Sequence, residues 1–258
     1  MNLILQGFAW IFDGAHWLTT STSAGISEAL VQHLILTGIS LFFTVLIGIP
    51  LGFYIGHTGT GRDLAILTSN GLRALPSVGL LTVLILAIPF IKGIPGNYLA
   101  DVIVFVLLGL PSMLAGAYAG LESVDRETID AARAIGMTEW QILTKVEVPL
   151  GARLILGGLR SSTLQIVATV AIASLLTQIT LGTFIIDGLN QNNYVKMIGG
   201  AILVAALALI LDGILALVQR FASPRGVSQG ATKDKRNTAR GAATASTQPR
   251  TPITEGNL

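Results

Sequence analysis

Side chains able to do chemistry are few in this chain of 258 residues, of which 12% are charged and 52% hydrophobic. There is no cysteine, which excludes thiol nucleophiles, disulfides and Cys-ligated zinc. The stretch "HTGTGRD" (57–63) lacks the lysine of a G-x-x-x-x-G-K-[ST] phosphate loop, so the chain is not expected to hydrolyse ATP. No catalytic residue, metal site, cofactor or nucleic-acid partner is expected. Two constellations remain. One is the polar passage "DAARAIGMTEWQILTKVEVPLGARL" (130–154), where Asp130, Arg133, Glu139 and Lys145 can set the register of a docked helix from its rim. The other is a set of charges in or beside apolar runs, Arg73, Arg160 and Asp212. A charge at membrane depth is costly, and it points to pairing or to function.

The polar passage carries its own folding signals. Asp125 can cap a short helix on which Ile129, Ala132 and Ile135 share a face, and Gly136 fits the left-handed position that ends it. Thr138 and Gln141 form a capping box for a second helix, with Met137 and Ile142 spaced as a hydrophobic staple. Pro149 is expected to stop that helix. Ala131, Ala132 and Ala134 permit close approach by a partner. Such a hairpin suits insertion into a partner's groove; it equally suits packing against its own bundle or lying on a membrane surface.

The elements that must position these residues are membrane spans. Crossing a bilayer takes roughly 20 apolar residues. Runs at 34–55, 64–91, 102–121, 158–182 and 197–218 meet that length, the second by helical extension from Leu64, which predicts an all-α integral membrane protein with five spans. The polar passage, 125–149, falls between spans three and four. With the C-terminus inside, the cytoplasm collects Arg62, Arg126, Arg133, Lys145, Arg153 and every cation from Arg220 to Arg250, whereas the outside keeps only Lys92 and Lys196. The positive-inside rule therefore places the N-terminus outside. The first residues lack the basic start of a secretory signal, and their apolar run breaks at Asp13 and Gly14. Residues 1–28 read as an interfacial or loosely packed segment, 29–222 as the membrane domain, and 223–258 as a disordered basic tail too poor in large apolar residues to fold. Pro50, Pro76, Pro89 and Pro111 fall in spans and can kink them, while "LAGAYAG", "LGGLR" and "IGGA" offer small faces for close helix packing.

The hairpin resembles the EAA loop of ABC transporter permeases, whose pattern is E-A-A, three residues, Gly, nine residues, then I-x-L-P. Here "DAA" (130–132), Gly136 and "VEVP" (146–149) keep every spacing, with Asp130 for Glu and Val146 and Val148 for Ile and Leu. "RALPSVGLL" (73–81), "VEVPLGARLILGGLR" (146–160), "IIDGLNQNNY" (185–194) and residues 197–226 are similar to the osmoprotectant branch of these permeases. Two departures are Gly116, where that branch tends to carry Asn, and "LLTQITLG" (175–182), where a glycine-rich turn is usual. The resemblance implies a type I permease fold importing glycine betaine, choline or related compounds. It also implies cytoplasmic ATPase subunits, a second permease copy or homologue, and an extracytoplasmic substrate-binding protein. Asp130, Ala131, Ala132, Arg133, Gly136 and Pro149 would then belong to an ATPase-coupling loop.

Helical rise puts Arg160 and Asp212 at similar depths from the cytoplasmic side, so they are expected to pair, with Arg73 a competing partner. The pair would be either structural or part of a gate. Asp212 is the one acidic residue expected well inside a span. The cargo site is weakly signalled: Phe42, Phe43, Phe53 and Tyr54 could face a quaternary ammonium or simply lipid. Other readings are an importer of methionine or an oxyanion, an ion-coupled secondary transporter, and a purely structural membrane subunit.

Overall fold

The computed structural model describes residues 2–20, 24–88, 96–176 and 179–222. Among these, no strand occurs. The helices are α1 (Leu3–Phe12), α2 (Ile26–Thr58), α3 (Arg62–Ala74), α4 (Ser77–Ala87), α5 (Gly96–Glu122), α6 (Arg126–Ala134), α7 (Glu139–Ile142), α8 (Val148–Ala173), α9 (Gly182–Asn190) and α10 (Tyr194–Ala222). Four helical stretches are long and apolar enough to cross a membrane: α2, α5, Glu139–Ala173 and α10. The pair α3 and α4 makes a fifth if counted together.

That pair corrects the expectation of one continuous helix over 64–91. Its two halves meet at an angle of 88°. Pro76 explains the break: its ring drives Leu75 into extended geometry, with φ −73° and ψ 131°, and its nitrogen has no hydrogen to continue the ladder. A second correction concerns Pro149, which does not stop a helix. The chain runs without interruption from Glu139 to Ala173 through one π-helical turn, Leu143–Glu147, in which Val148 N–H bonds to Leu143 C=O. In a regular α-helix the proline ring strikes the carbonyl four residues back, here that of Lys145; the wider turn makes room for it. The span expected at 158–182 therefore starts earlier, and it ends at Ala173. There Leu175 and Leu176 turn back onto the last helical carbonyls and Thr180 bonds Ser174, before α9 begins as a separate short helix.

The N-terminal segment is packed rather than loose. Asn2 caps α1, Trp17 Nε1 donates to Ile11 C=O at 2.7 Å, and Trp10 lies against Gly199 of α10. Asp101, in the second turn of α5, is fully buried. Pro89, Lys92 and the tail from 223 lie outside the described residues.

At the centre stands α5, enclosed by α2, α4 and α8 around Leu36, Val104, Phe105, Ile166 and Val170. Small residues set the spacing. Gly48, Gly52 and Gly56 lay one face of α2 on Met113, Ala117 and Leu121 of α5. On the far side, Gly116 and Gly120 of α5 meet Gly158 and Gly151 of α8 backbone to backbone. Without a hydrophobic force between helices in lipid, such close contact is what holds them. A Cβ on Gly116 would stand 2.4 Å from Gly158 Cα, so this close crossing leaves no room for a side chain. Gly116→Ala is expected to force α5 and α8 apart at a cost of about 1–3 kcal/mol, read as a lowered Tm of the purified protein. An unchanged Tm would mean that the two helices stand further apart than this.

Candidate functional site

The hairpin 125–149 is built by local bonds. Asp125 accepts from Glu127 N–H to start α6. At its end Gly136 adopts φ +88°, Gly136 N–H donates to Arg133 C=O at 2.9 Å, and Met137 N–H donates to Ala132 C=O at 3.2 Å. Those two bonds are the paired closures of a Schellman motif, which needs a residue free to take positive φ. Thr138 and Gln141 then make both halves of a capping box, at 3.0 and 3.4 Å. Arg133 spans the bend. It grips Glu139 with two hydrogen bonds, 2.8 and 3.0 Å, and Asp130 with a third at 3.3 Å. The hydrogen bonds from Glu139 hold the Arg133 guanidinium above its ordinary pKa. Exposed ion pairs add little stability, so their part here is to fix the angle between α6 and α7.

The apolar residues of the hairpin divide. Ala132 and Ile142 are buried, but Ile135 is 80% exposed and Trp140 72% exposed. Ile135 thus parts from Ile129 and Ala132, with which it is expected to share a face, because α6 ends at Ala134 and Ile135 is its cap. Ile135, at the end of the helix carrying exposed Ala131 and Ala134, is left uncovered by the described residues, and Trp140 borders an apolar cleft with Pro50, Phe53 and Tyr54 of α2.

Residues that sequence reasoning passed over tie the hairpin to the bundle. His57, on the last turn of α2, places Nδ1 2.6 Å from Glu147 Oε2 and Nε2 3.3 Å from Glu139 Oε2. Glu147 is buried in the π-helical turn, whereas Glu139 belongs to the hairpin's own ion pairs. A connected line therefore runs Asp130, Arg133, Glu139, His57, Glu147. Behind it lies a polar cavity of about 270 Å³ bordered by Arg62, Arg126, Glu122 and Asp130. No sequence signal joins positions 57 and 147; only the fold does. Ala131 and Pro149 make no polar contact of this kind, and Pro149 acts through the π-helical turn.

Within the spans, Arg160 Nε and Nη2 donate to the two carboxylate oxygens of Asp212 at 2.9 and 2.7 Å, and Nη1 donates to Gln219 at 2.9 Å. Gln219 in turn donates to Arg153 C=O at 2.7 Å, closing α8 onto α10. About a third of each charged side chain is left uncovered by this chain, 30% and 27%. Two parallel N–H···O bonds to one carboxylate are the strong, directional form of this pairing. Arg73 takes no part. Among the described residues it reaches only Ser112 Oγ, at 3.5 Å. On α2, His33, Thr37 and Ser40 form a fully or nearly buried polar stripe at helical spacing, which an outward count of charges misses. Phe42 and Tyr54 are exposed on the outer face of α2, as lipid-facing residues would be.

A model of the family described as binding-protein-dependent transport system inner membrane component matches residues 48–224. The chain belongs to that family. It is a multi-pass membrane protein with the type I permease fold. A glycine betaine/carnitine/choline transport system permease protein of Bacillus subtilis (strain 168) is 32% identical over 196 residues, 76% of this permease and 88% of the relative. An osmoprotectant import permease protein of Salmonella typhimurium is 37% identical over 198 residues, 76% of this permease and 81% of the relative. Among solved structures, inward-facing conformations of the MetNI methionine ABC transporter superpose with TM-score 0.68 at 20% identity, over 77% of this permease and 96% of that chain. That likeness concerns the fold alone. Membership in a binding-protein-dependent family favours the ABC permease reading over an ion-coupled secondary transporter or a purely structural subunit.

Proposed function

We propose that this permease is the membrane subunit of an ATP-driven importer of small osmoprotectants of the glycine betaine, carnitine and choline class. ATP is hydrolysed by separate cytoplasmic subunits that grip the hairpin 125–149. A second permease copy or homologue completes the translocation path, and an extracytoplasmic binding protein delivers the solute. The observation that carries this reading is the hairpin itself, rigidly capped yet left with Ile135 and Trp140 uncovered, in a chain whose relatives are permeases for such solutes. The His57–Glu147 contact supports putting the hairpin on the same side as the α2–α3 turn. Arg62, Arg126, Arg133, Lys145 and Arg153 gather there, favouring a cytoplasmic location, an outer N-terminus and an inner C-terminus. Residues 1–28, 29–222 and 223–258 are then an outer segment, the transport domain and a cytoplasmic tail.

Alternating access follows. Closure of the ATPases displaces the hairpin; the line through His57 and Glu147 and the continuous helix Glu139–Ala173 carry the displacement into α2 and α8. The test is uptake of labelled glycine betaine and choline into proteoliposomes holding the complete complex. Uptake that requires both ATP and the binding protein supports the reading; uptake of neither solute, or uptake without ATP, overturns it. His57→Ala is expected to cut uptake by roughly 5- to 150-fold, the span of ordinary coupling energies, while ATP hydrolysis continues. Hydrolysis and uptake falling in proportion would show that His57 supports assembly only.

A further inference from the structure

The break between α3 and α4 creates a polar site inside the membrane. We propose that the cavity at Arg73 binds a carboxylate of the transported solute partway through its passage; this rests on the importer reading given above. Arg73 occupies the last turn of α3, immediately before the bend. Its contact Ser112 lies ten residues before the end of α5 at Glu122, or roughly 15 Å along the helix. That is about half of a hydrocarbon core of roughly 30 Å.

Three observations converge there. First, the helix is broken at that depth: α3 ends on extended Leu75, whose N–H turns back to Leu72 C=O, and α4 starts from Pro76 with no side-chain cap. Irregular backbone in a membrane is tolerated where it lines a protein or water-filled cavity, and broken helices near the midplane are where transporters hold their cargo. Second, such a cavity is present, with a volume of about 370 Å³, bordered by Arg73, Leu75, Ser77, Leu108, Ser112 and Gln165. That size suits a small-molecule site. Third, Arg73 has no carboxylate within ion-pair distance among the described residues, although Arg160 is fully matched by Asp212. A guanidinium at this depth needs an anion, and its fork matches a carboxylate. Ser77, Ser112 and Gln165 can complete the hydrogen bonding, while Leu75 and Leu108 wall the aliphatic part.

The consequence is a division among solutes. Glycine betaine and carnitine carry a carboxylate; choline ends in an alcohol. In the reconstituted complex, Arg73→Gln is expected to lower uptake of the two carboxylates by roughly tenfold or more and to change choline uptake by less than about twofold. Arg73→Lys should recover part of the loss. Equal losses for all three solutes, or no loss for the carboxylates, would overturn the proposal. A wild-type complex that moves none of the three would sink the osmoprotectant reading instead, and a second measurement then decides the site alone. Modification of Arg73 by phenylglyoxal, followed by mass spectrometry on the purified complex, is expected to slow in acetate and in glycine betaine but not in choline. Modification indifferent to both carboxylates overturns the proposal.

Discussion

A Gly136→Pro permease is expected to insert in the membrane and import almost nothing. Proline cannot take the φ of +88° found there, and it lacks the N–H that closes onto Arg133 C=O. Both closures of the Schellman motif depend on that geometry, and with them go the Arg133–Glu139 contact and the angle between α6 and α7. The loss should reach the upper end of typical coupling energies, roughly 100-fold in ATP-driven uptake. Far-ultraviolet circular dichroism should barely change, because the long helices do not pass through this turn. Gly136→Asn is the companion test, since asparagine tolerates the left-handed region; it should keep much of the activity. Uptake surviving Gly136→Pro would remove the hairpin from the transmission path.

The second large effect is expected at the Arg160–Asp212 ion pair. Asp212→Asn leaves the Arg160 guanidinium without its counter-charge at a depth where hydration cannot replace it. Uptake should fall by roughly tenfold or more, with a smaller yield of assembled protein. Arg160→Asp alone should be as damaging. The double exchange, Arg160→Asp with Asp212→Arg, restores opposite charges on α8 and α10 and is expected to recover a substantial part of both. Recovery of yield without uptake would assign the pair to gating; absence of any recovery would mean that the contacts of each residue with its other neighbours matter more than the pairing.

How much of this was legible beforehand depends on the range of the interactions involved. Asp125, Gly136, Thr138 and Gln141 could be read because a cap is a contract among residues a few positions apart. The spans could be read because membrane length and apolarity leave few alternatives. Arg160 and Asp212 were brought to similar depths by helical rise alone. The break at Pro76 and the π-helical turn before Pro149 were harder. Both prolines carry the same local signal, yet one splits its helix by 88° and the other is absorbed; what differs is the wider π-helical turn that makes room for Pro149. His57 and Glu147 lie 90 positions apart, and only the juxtaposition of α2 with the start of α8 unites them. Asp101 was hidden by its place beside the apolar run rather than inside it, and Ile135 by a helical periodicity that ends one residue sooner than the pattern implies.

The account stands or falls on whether the hairpin is held by an ATPase subunit on the cytoplasmic side. The chain has no cysteine, so single cysteines at Ile135 and at Trp140 can report without background. In the assembled complex, a thiol-anchored photo-crosslinker is expected to join each to an ATPase subunit, with a yield that changes between nucleotide-free and nucleotide-bound states. In intact cells, neither should react with a membrane-impermeant maleimide. Labelling from outside, or no crosslink to an ATPase in either nucleotide state, would contradict the central claim.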